Sequence, residues 1–422
     1  MKILLFTHIF PYPLNEGGKV AQFGILEYLC KSEDVLLVSE ENNLDIWDHV
    51  KNLQKIIPSL RIKILETSQP INSKDFFSYL LKKISVLQWL LQKKTYKHLP
   101  NKFNISDNPL FIYPTRPRKS GIINQLIKIV NEEKPDLIQV DFIDNSDIVN
   151  LVPVGIKKVL IHHDLRYTSV MQACKLQNET IGYSNYLSSY VQTIETAFLN
   201  KFDAVVTFSE DDKSKLSSSV VHPEIETIPF SASQKNIPAI SDQHYPIKKL
   251  IFIGPSYHFP NYDAVEWYAR EMADAVFGKY KLQLVVIGNW SASARATFDH
   301  VPGINFTGFA ENLKEAMDNA IMLVPLRIGS GIRTKLLDAF AYGTPIISTS
   351  IGCEGLGAIE NQDLIIADDP KQFMSAIGQL VNDPELVHKL RMSANRFVNE
   401  NYSQDVVGKR RLDLYKNLTG KI

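Results

Sequence analysis

Cysteine is scarce in this chain: three in 422 residues, Cys30, Cys174 and Cys353, with no C-x-x-C spacing among them. That excludes a disulfide scaffold and a thiolate zinc cluster, and fits a reducing compartment such as the cytoplasm. Net charge is absent as well, because 46 Lys and Arg balance 46 Asp and Glu, so nothing in the overall balance suggests a nucleic-acid partner. No uncharged apolar run reaches the roughly 18 residues of a membrane span. The opening MKILLFTHIF carries one lysine and an apolar run that stops at His8 and Pro11; it is too short for a secretory signal and reads as a buried strand. Aspartates never stand at D-x-D spacing, and no His, Asp and Glu cluster has ligand spacing, so no metal site is expected. The P-loop pattern G-x-x-x-x-G-K-[ST] is missing too.

What is present is an apolar fraction of 45% in a chain longer than one core usually organises, which predicts two domains. Continuous apolar runs alternate with helical patterns: KILLFT, VLLVS, LIQVDF, KVLIHH and AVVTFS, then LIFIGP, LQLVVIG, IMLVPL and PIIST. Unbroken apolar strands are buried on both faces, so the pattern predicts an α/β protein of two doubly wound, Rossmann-like parallel sheets facing each other across a cleft. The stretch 231–249 has prolines and no period, and divides a first domain, 1–235, from a second, 236–402. Residues 76–99 combine large apolar residues with Lys82, Lys83, Lys93, Lys94 and Lys97. They read either as a basic amphipathic helix lying on an anionic membrane surface or as a packed helix with a solvated lysine face.

The richest stretch is PLRIGSGIRTKLLDAFAYG, residues 325–343. A helix is expected from Ile332 to Tyr342, closed by Gly343 and Pro345. Gly329 and Gly331 allow a tight turn and leave first-turn N–H groups open. With the helix dipole these make an anion site, beside which Arg333 and Lys335 add formal charge. Asp338 follows Lys335 by three residues, about 4.5 Å further along the same face. A ligand with phosphates for the helix start and hydroxyls for the carboxylate fits this pattern, as a nucleotide would. The opposite reading is a glycine turn with a surface Lys335/Asp338 pair.

That stretch, continued to PIISTSIGCEGL, resembles the donor-site segment of the retaining GT-B glycosyltransferases of family four. LIFIGPSYHFPNYDAVEWY is similar to the first strand and helix of their nucleotide domain, and INFTGFAENLKEAMDNA to the segment running past the base. FPYPLNEGGKVAQ resembles their glycine loop after the first strand; KPDLIQVDF, VLIHHD and VVTFSEDDKSKL resemble later segments of the acceptor-side domain. The resemblance implies that Gly17 and Gly18 bring backbone N–H groups to a diphosphate, and that His163, followed by Asp164, faces the transferred sugar. His162 takes that place if the register slips by one. It further implies Lys335 and the backbone of Gly331 and Ile332 on the phosphates, Asp338 on the ribose, and Asn261, Thr307 and Gly308 along the rest of the donor cleft. The last helix, in 403–422, is expected to cross back to the first domain.

Two departures stand out. The family's glutamate pair, spaced eight apart, falls on Ser330 and Asp338, so the carboxylate that usually meets the donor sugar is replaced by Ser330. The arginine that follows the first glycine of the nucleotide domain is absent, since Gly254 precedes Pro255, and Arg327, Arg333 or both take over its charge. The implied activity is metal-independent hexosyl transfer from a nucleotide-diphosphate sugar, without a cofactor, to a glycan or lipid-linked acceptor in surface polysaccharide synthesis. Two other functions fit the same fold: a non-catalytic sugar-nucleotide or glycan-binding partner subunit, and a sugar-nucleotide 2-epimerase, which needs an acid/base carboxylate pair.

Overall fold

The computed structural model describes residues 1–14, 16–40, 45–66, 118–221, 224–233, 237–240, 245–310, 312–329 and 331–421; Ser330 and the 76–99 segment lie outside them. The five apolar runs of the first half form β1 (Lys2–Thr7), β2 (Asp34–Ser39), β4 (Leu137–Asp141), β5 (Lys157–His162) and β6 (Ala204–Thr207). With β3 (Arg61–Ile64) and β7 (Glu224–Thr227) they make an all-parallel sheet in the order β3-β2-β1-β4-β5-β6-β7. The second half builds another from β8 (Lys249–Ile253), β9 (Leu284–Ile287), β10 (Ile304–Gly308), β11 (Ala320–Val324), β12 (Ile346–Ser348) and β13 (Ile365–Ile366). Its order is β10-β9-β8-β11-β12-β13, again parallel throughout.

The strands that the apolar pattern does not show, β3, β7, β10 and β13, are the four sheet edges. An edge strand is covered less than a central one, and RIKI and EIET carry charged residues accordingly. In the centre, pleating sends alternate residues to opposite cores: Ile3 and Leu5 to one, Leu4 and Phe6 to the other.

Both sheets reverse their winding once, between β1 and β4 and between β8 and β11, and ligands of such sheets bind at the carboxyl ends of strands at those points. The helix Gly17–Leu29 follows β1, and the helix Thr334–Ala341 follows β11. The last helix, Gln404–Thr419, packs on the Gly17–Leu29 helix of the first domain. Gln404 Nε2 donates to the Gly24 carbonyl at 3.2 Å and to Glu27 at 2.7 Å, and Lys31 pairs with Asp405 at 3.2 Å. Gly408 is required there, because a Cβ would fall 2.1 Å from the Tyr28 ring. Among the described residues no helix is long and apolar enough to cross a membrane.

Candidate functional site

The helix after β11 begins at Thr334, two residues later than the sequence pattern suggests. Arg333 is its N-cap in extended conformation, at φ −93° and ψ 114°, and Ile332 belongs to the preceding turn. Its far end is as expected, with Gly343 at φ 63° and Thr344 N–H bonded to the Ala339 carbonyl at 2.8 Å. Neither Arg333 nor Glu16, the N-cap of the Gly17–Leu29 helix, places a side chain on its first-turn amides. Helix starts usually recruit such a cap, so both ends keep N–H donors and about half a positive charge each for something else. They also approach one another: a Cβ on Gly17 would lie 3.2 Å from Thr334 Oγ1.

Between them lies a cleft of about 1220 Å³, whose walls include Glu16, Gly17, Gly254, Asn289, Trp290, Phe306, Gly308, Phe309, Thr334, Lys335, Asp338 and Tyr342. Both domains contribute, and Tyr257 OH reaches Glu16 across the gap at 3.4 Å. Lys335 Nζ donates to the Ile253 carbonyl at 2.9 Å and to Asn261 Oδ1 at 3.3 Å, with the Phe252 ring 4.3 Å away. Burial, followed by Arg333, lowers the Lys335 ammonium from 10.5 to about 7. Asp338 is buried on the same helix face, and burial pushes it from 3.8 up to about 6 against the hydrogen bond from Ser233. The cleft thus holds a weakly held proton next to a carboxylate, in the order in which a phosphate and a ribose would meet them.

The remaining predicted residues fall into distinct places. Gly18 is closed by Phe142, to which a Cβ would come within 3.0 Å, and Phe142 stacks on His163 at 3.8 Å and 18°. Phe142 adopts φ 66°, a conformation a bulky residue rarely takes, at a cost of about 1–3 kcal/mol. His163 lies at the seam between the domains, its carbonyl 3.3 Å from where a Gly331 Cβ would sit. His162, one residue earlier, is buried beside Glu195 at 3.4 Å and kept neutral by desolvation, its pKa lowered to about 3. Asn261 sits beneath Lys335 rather than on the cleft wall. It also bonds the Pro255 carbonyl at 3.2 Å, and Gly254 leaves it room.

Two assignments do not match the geometry. Arg327 is bound in two hydrogen bonds to the buried carboxylate of Asp263, at 3.0 and 2.5 Å, and lies over Trp267, away from the cleft. Thr307 is exposed on β10, because neighbouring strand residues face opposite ways and Phe306 and Gly308 take the cleft side. Arg333 donates to the carbonyls of Gly331 and Ile351, which ties down the turn and keeps its charge there. Ser330 lies outside the described residues. Ser233, Trp290 and Gln172 also belong to this region, although none stands in a motif; the Gln172 side chain receives the Gly329 N–H at 2.7 Å from across the domain seam. Only Trp290 had a local signal, a glycine and an aromatic at the end of a buried strand.

Residues 247–383 match the family model described as glycosyl transferases group 1. An uncharacterized 44.6 kDa protein in the cps region of Klebsiella pneumoniae is 24% identical over 49% of this chain, a match that spans 55% of that protein. Among solved structures, sucrose-phosphate synthase from Thermosynechococcus elongatus superposes at a TM-score of 0.68, with 14% identity and full coverage of both chains. Anabaena Alr3699/HepE in complex with UDP superposes at 0.65, with 9% identity over 99% of this chain and 100% of that one. At such identities the structural likeness shows the fold. The chain therefore has the GT-B fold, and residues 247–383 of its second domain are similar to the glycosyl transferases group 1 family.

Proposed function

We propose that this protein is a retaining glycosyltransferase that moves a sugar from a nucleoside-diphosphate sugar to a hydroxyl of a glycan or lipid-linked acceptor in surface polysaccharide synthesis. One observation carries the proposal: Lys335 and Asp338 share one wall of the cleft, opposite the uncapped start of the Gly17–Leu29 helix. A nucleoside diphosphate laid along that wall puts its phosphates between two helix starts and Lys335, and its ribose on Asp338. The UDP bound in one fold neighbour and the cps region of the sequence relative support this donor class and setting.

Cleavage of the glycosidic bond gathers negative charge on the departing phosphate. Two fixed dipoles and an ammonium already face that charge, and preorganised groups of this kind contribute several kcal/mol without reorganising. In this scheme they supply the positive charge themselves, so no metal ion is required. The acceptor hydroxyl attacks from the side the diphosphate leaves, passing its proton to a departing phosphate oxygen. His163 orients sugar and acceptor at the seam. We place the enzyme in the cytoplasm, with 76–99 as its membrane-facing element. Charge reversal of Lys82, Lys83, Lys93 and Lys94 should then abolish co-sedimentation with anionic vesicles.

The reaction is tested by incubating the protein with a panel of nucleotide sugars and acceptor extracts, following nucleoside diphosphate release and the anomeric proton of the product. Release with retained configuration is expected. Binding without release would point to the partner-subunit reading, and interconversion of the donor without release to an epimerase.

A further inference from the structure

We propose that Asp141, Gln139 and Tyr415 are positioning residues for His163. Together they form a one-way hydrogen-bond relay from the last helix that fixes the imidazole with its proton on Nε2 and leaves Nδ1 an acceptor. The observation is a buried chain of side chains under the domain seam. The Tyr415 hydroxyl donates to Gln139 Oε1, Gln139 Nε2 donates to Asp141 Oδ2 at 2.6 Å, and Asp141 Oδ1 stands 3.1 Å from His163 Nε2. Tyr415 and Gln139 are fully buried and Asp141 is 1% exposed, so bulk water does not compete for these partners.

The direction of the relay follows from what each group can do. An ionised carboxylate only accepts, so both of its neighbours must donate to it: the amide nitrogen of Gln139 on one side and Nε2–H of His163 on the other. The Gln139 oxygen therefore points the opposite way and needs a donor, which is the Tyr415 hydroxyl. Arg411, one turn earlier on the same helix, sets its positive charge beside the Tyr415 hydroxyl, which favours the tyrosine proton turned away from it, toward Gln139. Turning Gln139 over would set its oxygen against the Asp141 carboxylate and its NH2 against the Tyr415 hydroxyl, whose proton would then have to turn toward the Arg411 side. Every step thus enforces the next. The ring plane is fixed independently by Phe142 stacked at 3.8 Å and Phe208 edge-on at 4.9 Å.

The relay has a topological consequence. Gln139 and Asp141 are on β4, His163 follows β5, and Tyr415 comes from the helix that follows the whole second domain. The crossing helix therefore does more than cover a sheet, since its far turn determines the protonation geometry of a residue at the seam. Partly satisfied buried networks are costly, so each member is sensitive to loss of the others. The proposal depends on the glycosyltransferase reading only for its kinetic consequence.

The test is the tautomer of His163 in the full chain labelled with 15N-histidine, read from long-range 1H–15N correlations and assigned by the signal lost in His163→Gln. Wild type is expected in the Nε2–H form. In Asp141→Asn, Gln139 stays locked by Tyr415 and takes the asparagine oxygen. The asparagine NH2 then donates to His163, which must switch to Nδ1–H. Adding Tyr415→Phe frees Gln139 to turn and should return a fraction of Nε2–H. With a donor that turns over, Asp141→Asn should lower kcat on the order of 100-fold and leave donor KM within about twofold. Nδ1–H in wild type, or an unchanged tautomer in a folded Asp141→Asn variant, would overturn the proposal. The wild-type spectrum alone decides if the variant does not fold. Absence of turnover with every donor would remove the enzymatic reading and leave the tautomer result standing.

Discussion

Replacing Lys335 with methionine should move nucleotide binding and stability in opposite directions. Burial lowers this ammonium from 10.5 to about 7, so the folded protein holds its proton less tightly than the unfolded chain does. A base depressed in this way penalises folding fully below about pH 7, and the penalty is relieved as pH rises through 7 toward 10.5. Its ceiling is about 5 kcal/mol at roughly 1.4 per pH step; the part of Lys335 still open to the cleft screens the charge and reduces this to about 2–3 kcal/mol. Methionine keeps the aliphatic packing and leaves the Ile253 carbonyl and Asn261 Oδ1 without their donor, at about 1–2 kcal/mol. At pH 6 the free variant should therefore equal wild type or exceed it by about 1 kcal/mol, a rise of a few degrees in Tm by calorimetry. Nucleoside diphosphate affinity should fall by about 2–4 kcal/mol, or roughly 30- to 1000-fold, because a desolvated charge pair with phosphate is lost. Wild-type binding should also weaken by up to about tenfold per unit above pH 7, where the ligand must restore the proton, and the variant's should not. A variant that loses several kcal/mol of stability and binds nucleotide like wild type would refute this reasoning.

Three further substitutions separate donor contacts from framework. Asp338 is raised to about 6, so donor affinity should drop as pH falls through 6 and the carboxylate takes a proton. Asp338→Asn should abolish that dependence and weaken ribonucleotide binding roughly 10- to 100-fold, while 2′,3′-dideoxy analogues bind both forms equally in titration calorimetry. Gly254→Ala places a Cβ 2.5 Å from Asn261 at φ 155°, which displaces the partner of Lys335. It should lower both Tm and nucleotide affinity, and normal values of both would contradict the packing described. Asp263→Asn leaves Arg327 without its charged partner and should cost about 3 kcal/mol of stability with nucleotide Kd unchanged; a loss of binding would return Arg327 to the donor site.

The central strands were legible in the sequence because parallel strands buried on both faces are written as unbroken apolar runs. The four edges were not, since RIKI, EIET and INFTG mix polar and apolar residues as half-covered strands do, and β13 is only two residues long. Lys335 and Asp338 could be placed on one helix face because helical spacing is a local property. Arg327 could not be placed, because its partner Asp263 lies 64 residues away. The contact of Asp338 with Ser233, and the relay from Tyr415 to His163, likewise depend on pairs that only the folded topology brings together. Thr307 failed for a simpler reason: the parity of an edge strand is not fixed by a sequence with little alternation.

A crystal structure of the full chain with a nucleoside diphosphate tests the central claim most directly. The expected result has the phosphates between the starts of the Gly17–Leu29 and Thr334–Ala341 helices within reach of Lys335 Nζ, and the ribose hydroxyls on Asp338 in place of Ser233. A nucleotide bound outside this cleft, or one in it with its phosphates turned away from Lys335, would contradict the claim.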